Sequence, residues 1–115
     1  MLRLRFVALM LLATTALSPA AWADDRPLKG VALVIGESDY ATLQKLDNPK
    51  RDARAMDDML DSLGFSVDRV LDGDAKKLRA EIADFVDEAK DADVALVYYS
   101  GHGIEAGGSD FMVPT

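Results

Sequence analysis

A doubly wound α/β sheet, with mostly parallel strands and helices on both faces, is the fold this sequence predicts. Three observations carry it. The hydrophobic runs at residues 31–35 and 94–99 are continuous rather than alternating, the pattern of strands covered on both faces. Two segments with apolar residues at helical spacing separate three strand-like segments, giving strand, helix, strand, helix, strand. Turn chemistry falls between them, at Asn48-Pro49, Gly64 and Asp72-Gly73-Asp74.

The elements follow in order. Lys29-Gly30 leads into Val31-Ala32-Leu33-Val34-Ile35, which ends at Gly36. Asn48 is a good N-cap residue, and Pro49 suits the first helical position. Ala53, Met56, Leu60 and Leu63 continue at helical spacing until Gly64 stops the helix. Phe65-Ser66-Val67-Asp68-Arg69-Val70-Leu71 alternates with polar residues and reads as a more exposed strand. Asp74 caps a second helix with Leu78, Ile82, Phe85, Val86 and Ala89 on one face. Asp91 to Asp93 closes it, the third strand follows, and Gly107-Gly108 marks a short hairpin. Right-handed crossovers place the first strand between the other two. A run as apolar as residues 94–99 belongs inside a sheet, so further strands are expected beyond Thr115 and the domain is read as incomplete.

Residues 1–23 are set apart as a secretory signal peptide. Arg3 and Arg5 give a basic start, residues 6–17 are uncharged and largely apolar, and Ala21-Trp22-Ala23 places small residues at the cleavage site. The apolar run is short against the ~20 residues that span a bilayer, which argues against an uncleaved anchor. Residues 24–115 then form the N-terminal part of an exported domain, periplasmic or secreted. Cleavage moves the net charge from −7 to about −9, because the leader carries two arginines and no acids. Nucleic acid and anionic membrane surfaces both demand a basic face, so neither is an expected partner. With no cysteine and one histidine there is no disulfide, and no plausible zinc, copper or haem site.

Four blocks stand out. They are residues 31–40 (Val-Ala-Leu-Val-Ile-Gly-Glu-Ser-Asp-Tyr), residues 46–53 (Leu-Asp-Asn-Pro-Lys-Arg-Asp-Ala), Leu63-Gly64-Phe65, and Tyr98-Tyr99-Ser100-Gly101-His102-Gly103. In order and spacing they resemble the caspase-like peptidase superfamily, its bacterial metacaspase-like branch above all. The resemblance spans roughly residues 29–115 and implies a three-layer caspase-like fold. It also implies a cysteine-type endopeptidase acting on peptide or protein substrates, with a Cys–His dyad and no cofactor. Some metacaspases depend on calcium, and no residue pattern here speaks to that.

By that resemblance His102 is the catalytic histidine, and Gly103 offers its backbone N–H to the oxyanion of the tetrahedral intermediate. The other reading of a lone histidine is a polar residue satisfied in a turn. Asp52 matches an acid that in metacaspases lines the pocket for a basic P1 side chain; equally, it is a first-turn acid favoured by the helix dipole. Asp39 sits after the first strand, either facing the site or as a turn aspartate. Tyr98 and Tyr99 read as core and rim packing rather than substrate contacts. Caspase signatures place the cysteine roughly 50 residues after the histidine. Only 13 residues follow His102, so the chain is expected to supply the histidine half alone and to be inactive by itself. The alternatives are a catalytically inactive caspase-like binding or regulatory module and an unrelated exported α/β ligand-binding domain.

Other chemistry is excluded on residue grounds. Ser100 lacks a G-x-S-x-G elbow. Gly101-His102-Gly103 opens no helix, as a dinucleotide fingerprint must. Asp72-Gly73-Asp74 lacks the remaining ligands of a calcium loop.

Overall fold

The computed structural model describes residues 26–115, so the signal peptide assigned to residues 1–23 lies outside the described residues. Strand β1 (Gly30–Gly36) is followed by helix α1 (Pro49–Ser62), strand β2 (Phe65–Leu71), helix α2 (Ala75–Ala89) and strand β3 (Val94–Ser100). A hairpin of β4 (Gly103–Ala106) and β5 (Ser109–Met112) completes the order. The three long strands form a parallel sheet in the order β2-β1-β3, the arrangement that right-handed crossovers require.

Every residue of β1 is buried, and its two faces build two cores. Val31, Leu33 and Ile35 pack with Val70, Leu78 and Phe85, the last two from α2. Ala32 and Val34 point the other way and pack with Ala53 and Leu60 of α1. Side chains alternate across a strand, so one uninterrupted apolar run fills both layers. The helices therefore cover opposite faces of the sheet and the architecture has three layers. Among the described residues no helix is long and apolar enough to cross a membrane.

β3 has no outer neighbour among the described residues, as expected of a strand for which this chain supplies none. Among the described residues only β1 pairs with it, and Val97 stays 52 % exposed. Its sequence is that of a middle strand, but its described surroundings are those of an edge.

The helix ends show where local reading works and where it does not. Asp74 caps α2, its carboxylate accepting from the Lys77 backbone N–H at 2.7 Å. Asn48 precedes α1 as expected, but its backbone is already helical and its side chain makes no capping bond. Its Oδ1 instead accepts from the Arg51 guanidinium at 2.6 Å. The missing acceptor comes from Ser38, on the loop after β1, whose buried hydroxyl receives the Lys50 backbone N–H at 3.3 Å. The helix thus borrows its cap from across the fold, where one of the orphan donors of its first turn meets the strand end.

Candidate active site

In an open parallel sheet, ligands meet the protein beyond the carboxyl ends of the strands. Here three loops converge there, after Gly36, Leu71 and Ser100. Two backbone bonds carry the ladder past the strand ends: Glu37 N–H to Ser100 O at 2.9 Å, and Asp72 N–H to Gly36 O at 3.0 Å. The loop positions are therefore fixed by the sheet itself.

His102 lies in the turn between β3 and β4 and is partly exposed. The Tyr40 ring meets its imidazole edge-on, with centroids 4.6 Å apart and planes at 61°. Nε2 lies 2.8 Å from the backbone oxygen of Gln44. A carbonyl oxygen only accepts, so Nε2 carries the proton and donates. In the neutral ring this leaves the Nδ1 lone pair as the proton acceptor. The partner of one ring nitrogen thus sets the chemistry of the other.

The backbone of the same residue is gripped by two phenols. His102 N–H donates to the Tyr40 hydroxyl at 2.8 Å, and the Tyr99 hydroxyl donates to His102 O at 2.6 Å. The hydroxyls sit 3.4 Å apart, and the Tyr40 hydroxyl donates to Val113 O at 3.0 Å. Burial pushes the Tyr99 phenol well above its ordinary value, helped by the Tyr40 hydroxyl, so it remains a donor across the accessible pH range. Tyr98 packs in the α1-side core, as expected of a packing residue. Tyr99 packs against the other core with its ring and spends its hydroxyl on the site.

The turn needs glycine at position 101 for space. A Cβ there would lie 2.6 Å from the Tyr99 hydroxyl, 2.7 Å from the Tyr40 hydroxyl and 2.9 Å from Glu37 Cβ. Gly103 is different. It opens β4 opposite Met112, and a Cβ there would meet only Phe111 O, at 3.7 Å. One glycine seats the turn; the other leaves an open approach beside the histidine.

The two acids singled out in the sequence are not in contact with His102. Asp39 forms an ion pair with Lys50, and Lys45 Nζ lies 3.7 Å from its carboxylate. Lys50 also reaches Asp72 at 2.8 Å. Asp52 stands in the first turn of α1 with a half-exposed carboxylate, 4.0 Å from Arg51 Nε. Of the two, Asp52 is the freer to meet a cation from outside. Among the described residues no group of three or more His, Cys, Asp or Glu is arranged to hold a metal ion. A groove of about 320 Å³ lies between α2 and β5, lined by Leu78, Ile82, Phe111, Met112 and Pro114 among others, and neither His102, Gly103, Asp39 nor Asp52 borders it.

Asp72 organises the loop after β1. It adopts a left-handed backbone conformation, φ 53°, which aspartate tolerates better than most residues. Its Oδ1 accepts from Ser38 N–H at 2.7 Å and from Asp39 N–H at 2.9 Å. Burial works to raise its pKa, but the Lys50 ammonium and these two N–H groups outweigh it, and the carboxyl is held down at about 2. In the unfolded chain it titrates near 3.8. Acid is therefore taken up first by the unfolded state, and this stabilisation, intact above about pH 4, is lost as pH falls towards 2. Asp93, hydrogen-bonded to Arg26 and to the Lys29 N–H, is also lowered to about 2 and acts in the same window. Urea midpoints should fall across that range, and the fall should be smaller in Asp72→Asn. An equal fall in the variant would remove Asp72 from the account.

Sequence reasoning singled out His102, Gly103, Asp39 and Asp52, but missed Glu37, Tyr40 and Gln44 as partners of the turn. Tyr40 and Glu37 belong to a block the sequence had flagged, and the signal was their place just after a buried strand. Gln44 acts through its backbone oxygen, which no side-chain pattern can announce.

Comparison with known proteins places these features in context. Residues 29–115 match the family described as Caspase domain. The chain is similar to the human mucosa-associated lymphoid tissue lymphoma translocation protein 1, 36 % identical over 92 residues, covering 78 % of this chain and 11 % of that protein. It is also similar to the mouse homologue, 34 % identical over 84 residues, covering 73 % of this chain and 10 % of the homologue. The chain thus spans about a tenth of the length of these curated relatives.

Proposed function

Because the chain belongs to the caspase domain family, we propose that it forms the histidine-bearing part of a cysteine-type endopeptidase. The observation that carries this reading is the bond from His102 Nε2–H to Gln44 O, which leaves Nδ1 as the basic nitrogen of an otherwise exposed turn. In this reading a cysteine outside residues 1–115 passes its thiol proton to His102 Nδ1 and attacks the scissile carbonyl carbon. Gly103 N–H faces the oxyanion that forms, and the open space beside Gly103 supports that role. Collapse breaks the C–N bond, with His102 delivering a proton to the leaving amine. Water then attacks the thioester, the histidine takes its proton, and the thiol is restored.

The proposed substrates are peptides or proteins with a basic P1 residue, as in metacaspases. Asp52, half-exposed and not engaged by a lysine, is the better candidate to meet that side chain; Asp39 is already occupied by Lys50. The proposed location is exported, periplasmic or secreted.

The test is hydrolysis of fluorogenic peptides by the full-length gene product, with Arg, Lys or Asp at P1, before and after treatment with iodoacetamide. Cleavage of the basic peptides, abolished by alkylation, is the expected result. No cleavage of any peptide, or cleavage untouched by alkylation, would overturn the peptidase reading. A folded product with no activity would point to the non-catalytic module.

A further inference from the structure

Glu37 is the most deeply buried ionisable side chain near the site, at 0 % exposure. Among the described residues no lysine or arginine forms an ion pair with it. Its two oxygens are instead spent on backbone donors from distant parts of the chain. Oε1 accepts from Gly73 N–H at 2.9 Å, and Oε2 accepts from Thr115 N–H at 2.9 Å. A buried carboxylate held only by backbone N–H groups is costly unless both oxygens are satisfied, so the arrangement is demanding as well as stabilising.

Those donors lie on segments that also hold the catalytic turn. Thr115 N–H approaches Gly73 O at 3.2 Å, which closes a small ring with Glu37. Two residues earlier, Val113 O receives the Tyr40 hydroxyl at 3.0 Å and lies 3.2 Å from the Tyr99 oxygen, and Val113 N–H donates to His102 O at 3.1 Å. Residues 113–115 therefore form a strap across the carboxyl ends of the strands. One end is stitched to the His102 turn, and the other to the loop after β2. Glu37 joins the strap to that loop, and its own N–H is bonded to Ser100 O.

We propose that Glu37 is a positioning residue for His102, acting through the strap of residues 113–115 and the two tyrosine hydroxyls. The role deepens the peptidase reading, which makes His102 the proton-transfer group, but the mechanical claim stands on hydrogen bonds alone. Glutamine fits the same volume and cannot replace it. Glu37→Gln keeps one oxygen to accept and turns an NH₂ towards the other backbone donor, so one of the two N–H groups loses its acceptor.

The experiment uses NMR on the full-length protein, with the His102 imidazole signals assigned by their loss in His102→Ala. In Glu37→Gln, hydrogen exchange at the amides of His102 and Val113 should accelerate by about 5- to 150-fold, the equilibrium equivalent of one unsatisfied buried donor. The His102 imidazole signals should move with them, while exchange in the β1 core, at Leu33 and Val34, stays unchanged. Thr115→Pro is the second variant. It removes one donor, leaves Glu37 and both cores in place, and should shift the same His102 signals. Unmoved His102 signals in a folded Glu37→Gln protein would overturn the proposal. If that variant does not fold, unmoved signals in Thr115→Pro would do so. Because the readout is not cleavage, a peptidase test that fails leaves this result interpretable.

Discussion

Replacing His102 with alanine is expected to lower peptide hydrolysis by the full-length protein about 10²- to 10⁴-fold, the usual contribution of a positioned acid–base group. The fold should barely notice. The imidazole is partly exposed, belongs to neither core cluster, and spends its one side-chain hydrogen bond on Gln44 O. The carbonyl it abandons can turn to water, so the unfolding midpoint should move by no more than about 1 kcal/mol equivalent. The measurement is kcat/KM against a basic-P1 peptide, paired with urea unfolding. Unchanged activity would end the role of His102 in the proposed chemistry. A collapsed fold would show that its contacts with Tyr40 and Gln44 carry more than the geometry implies.

Gly101→Ala is expected to damage both quantities. The new Cβ would overlap both tyrosine hydroxyls and approach Glu37 Cβ at 2.9 Å. A free hydroxyl at the end of a mobile side chain could step aside. These cannot do so cheaply, because each is tied to His102 and Val113 and belongs to a rigid ring. The turn itself must move, at an overpacking cost of about 1–3 kcal/mol. A displacement near 1 Å at the base carries a further activity loss of about 10²-fold. His102→Ala should therefore cost activity alone, and Gly101→Ala activity and stability together. Full stability in Gly101→Ala would show that the phenol pair yields, and that the glycine is there for another reason.

The features legible in the sequence are those whose physics is local. The apolar runs of β1 and β3 and the helical spacing of α1 and α2 follow from side-chain periodicity and need no partner to be seen. Asp74 as a cap and Gly107-Gly108 as a hairpin turn, both glycines at positive φ, are likewise decided within a few residues. Strand order followed from handedness, since a right-handed crossover on each side of β1 leaves one arrangement. The histidine flanked by glycines after an apolar strand marked the candidate site.

What that histidine does was decided elsewhere. Asn48 looked like the cap of α1, yet Ser38 performs that task from ten residues upstream. Asp39 read either as facing the site or as a turn aspartate, and only the fold shows its ion pair with Lys50, which also reaches Asp72 in the loop after β2. Tyr40 and Tyr99 were two aromatic residues 59 positions apart until the sheet set their hydroxyls 3.4 Å from each other around the His102 backbone. By itself the sequence determined which segments are strands and helices, and which residue types stand at their ends. Only the tertiary structure decided how those ends meet. Hydrogen bonds between distant loops depend on the register of three parallel strands to within an ångström, and periodicity carries no such information.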